Sequence, residues 1–322
     1  MERGIRMKLR RLVATFLISV LIVTAIGCGS STGQAPREEK LTSQGTSAEE
    51  NAKKEELFAS VSWLKENAKN VIILDARPED QYKAGHIPGA INAYWQMFGD
   101  MNGKPGDPGW GTLLPVDKLA EKIRALGINS DKEVIVYADP SGWGDDGRIV
   151  WMLKMAGVNK SKMLDGGWPS WQAAGGEAAK DIPVANPVEF IITGLDEDMN
   201  TTTDWIKANM SNIKVIDARA KKEFDGAVDY GEKRGGHLPG AINLPFNEVF
   251  KDDGTLKSIS DLKDLFTKAG LKPEDDIVVY CTKGIRSAHE TLILRMLGFD
   301  KAKNWDASYY EWAGNKDLPV EK

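Results

Sequence analysis

Cysteine and histidine are scarce in this chain: 322 residues hold two of the first, Cys28 and Cys281, and three of the second. Two cysteines give no disulfide framework. Three histidines, none paired with another or with a cysteine, give no reason to expect a zinc site. Long apolar stretches are missing too. The apolar run at residues 12–27 is 16 residues long, short of the ~20 that comfortably span a bilayer, which argues against a multi-span membrane protein. Nor is positive charge concentrated: 42 basic residues face 47 acidic ones, for a net charge of −5, whereas a nucleic-acid binder would carry a basic face. The remaining composition, 42% hydrophobic and 28% charged, is that of a globular protein long enough for two domains.

The N-terminus has its own pattern. Arg3, Arg6, Lys8, Arg10 and Arg11 precede the apolar run, against the single acid Glu2. A basic segment followed by a short apolar core reads as an export signal; an uncleaved membrane anchor is the alternative. The end of the run, Thr24-Ala25-Ile26-Gly27-Cys28, resembles a bacterial lipoprotein signal. That resemblance implies a signal peptide at 1–27, lipidation of Cys28, and a membrane anchor through the lipid. Residues 28–54 are expected to be a flexible tether. The expected location is extracytoplasmic, as a membrane-anchored lipoprotein of the bacterial cell envelope. Cys281 would then be the one unmodified thiol.

The rest of the chain repeats itself. Asp75-Ala76-Arg77 returns as Asp217-Ala218-Arg219, and Gly85-His86-Ile87-Pro88-Gly89-Ala90 returns as Gly236-His237-Leu238-Pro239-Gly240-Ala241. The offset grows from 142 to 151 between these motifs, so the second copy carries nine extra residues within 224–235. From 112–137 the match to 255–280 runs without a gap, and Trp171 matches Trp312. A period this long indicates duplicated domains rather than a solenoid. Within each copy, short β-branched runs such as Val134-Ile135-Val136-Tyr137 and Ile277-Val278-Val279-Tyr280 alternate with helical patterns. Leu119, Ile123 and Leu126 share a helix face, as do Ile259, Leu262 and Phe266. The expectation is an α/β protein of two tandem domains, 55–180 and 191–322, joined by a linker at 181–190. Each would be a mainly parallel sheet with helices on both faces.

Features shared by both copies are expected to be scaffold, and features of one copy to be chemistry. By that test His86 and His237 are structural. After the second apolar strand the copies diverge: Ala138 stands opposite Cys281, in an acidic loop holding Asp139, Asp145 and Asp146, whereas Cys281 is followed by Thr282-Lys283-Gly284-Ile285-Arg286. A lone cysteine after a buried strand is often an inert core residue. Here it precedes a helical pattern whose first N–H groups favour an anion. Lys283 and Arg286 lower a thiol's pKa, and Gly284 allows the curl that turns successive N–H groups inward. The loop is one residue shorter than the one cysteine phosphatases wrap around a phosphate, which suits a single extra sulfur better than a tetrahedral oxyanion.

These motifs, together with Asp165-Gly166-Gly167-Trp168 and the loop Cys281–Arg286, resemble the tandem-domain rhodanese (thiosulfate sulfurtransferase) family from about residue 55 onward. The resemblance implies that Cys281 is the nucleophile and persulfide carrier. It implies that Arg219, Lys283 and Arg286 bind the substrate anion, that Thr282, Gly284 and Ile285 complete the cradle, and that the first domain is inactive. Arg219 has a twin in Arg77, so a bracing role stays open for it. Lys283 stands where thiosulfate-preferring members carry lysine, and Glu223 argues against 3-mercaptopyruvate. No metal or organic cofactor is implied. The donor would be thiosulfate or a similar compound, and the acceptor a thiol, cyanide or sulfite. A mercaptopyruvate sulfurtransferase and a non-turnover sulfur carrier or docking module remain as alternatives. Two fused domains favour a monomer. Ala307-Ser308 replaces the first copy's Gly166-Gly167, a departure expected to matter for packing alone.

Overall fold

The computed structural model describes residues 48–322. The expected signal peptide, Cys28 and most of the expected tether lie outside the described residues. The first sheet contains β1 (Phe58–Ala59), β2 (Ile72–Asp75), β3 (Ile91–Asn92), β4 (Val134–Tyr137) and β5 (Ser161–Leu164), in the order β1-β5-β4-β2-β3. The second contains β6 (Asn200–Thr201), β7 (Lys214–Asp217), β8 (Ile242–Asn243), β9 (Ile277–Tyr280) and β10 (Ala302–Trp305), in the equivalent order β6-β10-β9-β7-β8. Every strand pair is parallel.

Helices cover both faces of each sheet. They are α1 (Val61–Asn67), α2 (Glu79–Ala84), α3 (Val116–Ala125), α4 (Asp145–Met155) and α5 (Gly167–Ala173), then α6 (Thr203–Asn209), α7 (Lys221–Phe224), α8 (Ile259–Lys268), α9 (Ile285–Met296) and α10 (Ser308–Gly314). Successive side chains of a strand point to opposite faces, and β4 shows the result. Val134 and Val136 join the larger core cluster, with Leu119 and Ile123 of α3, while Ile135 and Tyr137 join another, with Leu64 of α1 and Trp171 of α5. Burial on both faces explains why the central strands read as unbroken apolar runs. Short polar caps start α1 and α6: Ser60 accepts the Trp63 N–H, and its repeat partner Thr202 accepts that of Trp205.

The most deeply buried helices are α4 and α9, which pack against each other between the two halves. Gly147 of α4 permits the approach, because a Cβ there would fall 2.4 Å from the Cβ of His289. Two further contacts are equivalent under the repeat. Asp306 accepts the N–H of Leu113 at 2.8 Å, and Asp165 accepts that of Leu256 at 2.8 Å. The halves therefore meet through one self-complementary pattern, as two copies of a subunit would. Between them, residues 181–196 carry no regular element, and Phe190 and Ile192 are buried in the core.

One boundary differs from expectation. Residues 48–55 are helical, so the tether does not run irregularly to residue 54. Apart from Asn51 the stretch is built of Ala, Glu and Lys, good helix formers that place Glu49 and Glu50 four residues before Lys53 and Lys54. Lys54 also forms an ion pair with Asp165.

Candidate active site

The repeat separates frame from chemistry. Asp217 accepts the backbone N–H of Arg219 at 2.9 Å, its Nε at 2.9 Å and its Nη2 at 2.7 Å, and also the hydroxyl of Tyr280 at 2.6 Å. Arg219 Nη2 donates to the carbonyl of Gly236 as well, and Tyr280 accepts the N–H of Leu238. The first copy repeats this network with Asp75, Arg77, Tyr137, Gly85 and Ile87. Each arginine also lies over aromatic rings, Arg219 at 4.0 Å from that of Tyr309 and Arg77 at 4.4 Å from that of Trp168. Arg219 is wholly buried and does not line the pocket beside Cys281. Its bonds brace the strand end against the Gly-His turn, the role left open for it by its twin Arg77, while its Nη1 is buried with no hydrogen-bond partner among the described residues. His86 and His237 stack on Tyr82 and Phe224 and hydrogen-bond the carbonyls of those residues.

The thiol lies at the end of β9. Cys281 ends the strand's apolar run and α9 begins at Ile285. Gly284 makes the turn with a φ of +80°, and a Cβ there would fall 2.5 Å from the carbonyl oxygen of Asp306; glycine meets both demands. The thiol is 1% exposed and accepts a hydrogen bond from the Ser287 hydroxyl at 3.6 Å. Burial pushes its pKa up, but the Arg286 charge, the Ser287 N–H and hydroxyl and the Lys283 N–H outweigh burial and hold it below the ordinary thiol value. Outside this cradle, Ser308 accepts the Cys281 N–H at 3.2 Å, and Cys281 and Thr282 accept the N–H groups of Tyr309 and Tyr310.

Ser308 corrects an expectation. It occupies the place of Gly167 and has a φ of +52°, the one non-glycine at positive φ among the described residues. A side chain in that conformation costs on the order of 1–3 kcal/mol and is retained where surrounding structure holds it. Its hydroxyl touches the cysteine's own backbone, so the departure from Gly-Gly reaches the reactive loop rather than packing alone.

The cations are not equivalent. Arg286 donates to Glu223 at 2.7 and 2.8 Å and to the Thr282 hydroxyl at 2.7 Å, and Thr282 donates in turn to Glu223 at 3.0 Å. This buried fork engages three of the five guanidinium N–H groups, and Arg286 still lines the pocket beside Cys281, where its charge acts on the thiol. Lys283 makes no ion pair among the described residues. Its ammonium lies 4.2 Å from the ring of Trp95 and 5.2 Å from that of Trp110, both in the first domain. Burial lowers its pKa, opposed by the charges of Cys281 and Asp145. Ile285 is buried and lines the pocket together with Cys281, Thr282 and Lys283.

The pocket beside the thiol has a volume of about 130 Å³, small against the ~300–1,000 Å³ of ordinary small-molecule sites. Arg286, Trp143, Tyr230 and Tyr310 complete its wall. Sequence reasoning missed these rings and the fork at Glu223. Two signals pointed to them: Glu223 aligns with neutral Gln81, and Tyr230 lies in the nine-residue insertion of the cysteine-bearing copy. Nothing local marks Trp95, Trp110 or Trp143, which reach the site from the other domain. Arg148 of the first domain also supports the loop through an ion pair with Asp306.

Two parallel α/β domains, one bearing a cradled thiol at a strand-to-helix turn, define the class. The Rhodanese-like domain family matches residues 60–174 and 202–315, and the chain belongs to it, with two such domains in tandem. It is 29% identical over 283 residues to the sulfur carrier protein TtuD of Thermus thermophilus, covering 83% of this chain and 97% of that protein. A thiosulfate sulfurtransferase of Corynebacterium glutamicum is 29% identical over 281 residues, covering 83% of this chain and 90% of that protein. Among solved structures, the anaerobic ergothioneine biosynthesis enzyme from Chlorobium limicola aligns with a TM-score of 0.75 and 20% identity, covering 84% of this chain and 71% of that one. This last likeness is one of fold.

Proposed function

We propose that the protein is a thiosulfate sulfurtransferase working through a persulfide on Cys281. The observation that carries this reading is the convergence of the Ser287 and Lys283 N–H groups and the Ser287 hydroxyl on one buried sulfur whose pKa is held down. In the first step the Cys281 thiolate attacks the outer sulfur of thiosulfate. The new S–S bond forms as the sulfur–sulfonate bond breaks, and sulfite leaves with the bonding pair. Lys283, whose ammonium no carboxylate engages among the described residues, holds the sulfonate. The enzyme-bound persulfide anion inherits the hydrogen bonds of the thiolate. In the second step cyanide, sulfite or a thiolate attacks the outer sulfur, and the Cys281 thiolate is restored, the pattern of ping-pong catalysis.

Glu223 disfavours 3-mercaptopyruvate as donor, because its fork on Arg286 leaves that arginine no free donor pair for a carboxylate. A non-turnover sulfur carrier is the second reading, favoured by the likeness to a relative named as one. Steady-state thiocyanate formation from thiosulfate and cyanide separates the two. Repeated turnover, lost in Cys281→Ser, supports the enzyme; release of one sulfur per chain and no more supports the carrier. The sequence of residues 1–28 supports a lipid-anchored site of action outside the cytoplasm, and we extend the proposal to that location and to a monomer.

A further inference from the structure

The repeat works as an internal control, and applied to the insertion it yields an assignment. In the first copy α2 runs directly into Gly85. In the second, residues 225–235 intervene between α7 and Gly236, so the added segment goes with the thiol. Its position is fixed from several sides. The Arg234 guanidinium donates to the carbonyls of Trp312, Ala313, Asn315 and Leu318, at and just beyond the end of α10. Glu232 accepts the Tyr230 N–H at 2.9 Å, and the Tyr310 hydroxyl donates to the Tyr230 carbonyl. Gly231 lies against the first domain, where a Cβ on Gly106 would fall 2.3 Å from its carbonyl oxygen. The Tyr230 ring so held meets the Trp143 ring edge to face, with centroids 5.0 Å apart, and both line the pocket that contains Cys281.

We propose that residues 225–235 form the acceptor-selecting wall of this site, with Tyr230 and Trp143 limiting Cys281 to slender, unbranched partners. Those are small anions and primary thiolates; thiols branched beside the sulfur are turned away. The assignment rests on the sulfur-transfer reading for its substrates and on geometry alone for the access it restricts. A pocket of about 130 Å³ whose wall is tied to helix-end carbonyls and to the neighbouring domain cannot widen without breaking those bonds.

The test uses the full chain in two arms. In the first, Cys281 is alkylated with iodoacetamide or with N-tert-butylmaleimide and the rates are read on the Cys281 peptide by mass mapping, which keeps Cys28 apart. In the second, protein pre-loaded with thiosulfate is discharged by 2-mercaptoethanol or by tert-butyl thiol. Tyr230→Ala should raise the bulky-to-slender rate ratio about tenfold in both arms, the scale of discrimination a few methylene-sized contacts provide. Trp143→Ala, from a half-exposed loop position, should do the same and guards against a folding defect in the first variant. Ratios unchanged in both variants overturn the wall. A shifted alkylation ratio in protein that gains no sulfur from thiosulfate supports the wall and overturns the sulfurtransferase reading.

Discussion

Glu223 and Arg286 form an ion pair with side-chain exposures of 1% and 5%, and Glu223→Gln removes its charge while keeping its size. The amide offers Arg286 a single acceptor oxygen and sets its own NH₂ against the second guanidinium donor. Removing one partner of a buried pair costs about 3–5 kcal/mol. For a chain of this size that lowers the unfolding midpoint by about 4–9 °C. Burial pushes the Glu223 carboxyl up, but the bonds and charge of Arg286, with help from Arg219 and Thr282, leave it below the ordinary value. A depressed carboxylate contributes stability above its unfolded pKa, and that stability is lost as pH falls through the folded value. The gap between the two proteins should therefore be full at pH 7 and close in acid. Substrate binding should move the other way. With Glu223 neutral, Arg286 gains a further donor to offer the sulfonate, and one charge-assisted hydrogen bond of about 1.5–3 kcal/mol lowers KM for thiosulfate by roughly tenfold or more. Thermal scans at pH 7 and down to about pH 2, with steady-state thiocyanate formation at pH 7, read both effects. An unchanged midpoint at pH 7, or a KM that rises, would refute the view that Glu223 masks Arg286.

Two further substitutions test the division between frame and chemistry. Lysine cannot reproduce the guanidinium fork, so Arg219→Lys and Arg77→Lys should destabilise by similar amounts, about 2–4 kcal/mol each in denaturant unfolding. A raised KM for thiosulfate in Arg219→Lys at unchanged stability would instead make Arg219 a substrate ligand. Ser308→Gly relieves a positive-φ side chain but removes the acceptor of the Cys281 N–H, two effects of about 1–3 kcal/mol that oppose each other. Its midpoint should stay near that of the natural protein while rapid-mixing measurements show sulfur loading slowed about 3–10-fold; undiminished loading would remove Ser308 from the site.

The legible part of this protein lay in repetition and in local chemistry. Duplicated motifs exposed two domains, and apolar runs at 134–137 and 277–280 exposed central strands because burial on both faces removes polar alternation. Ala138 opposite Cys281 singled out the copy that carries the thiol, and Gly284 located the turn. Partnerships between distant side chains were illegible. Glu223 and Arg286 are 63 residues apart, and a charge in a sequence does not show whether an opposite charge will engage it. Lys283 reads as an exposed cation until Trp95 and Trp110 arrive from the other domain. Ser308 reads as a lost glycine because its φ is a property of the folded loop.

The central claim is that the Cys281 thiolate takes a sulfur atom from a donor and holds it as a persulfide. Intact-mass analysis after brief incubation with thiosulfate reads this directly. The account predicts a gain of one sulfur per chain, mapped to the Cys281 peptide, reversed by cyanide and absent in Cys281→Ser. An unmodified mass for the natural protein, or a gain that survives in Cys281→Ser, would contradict it.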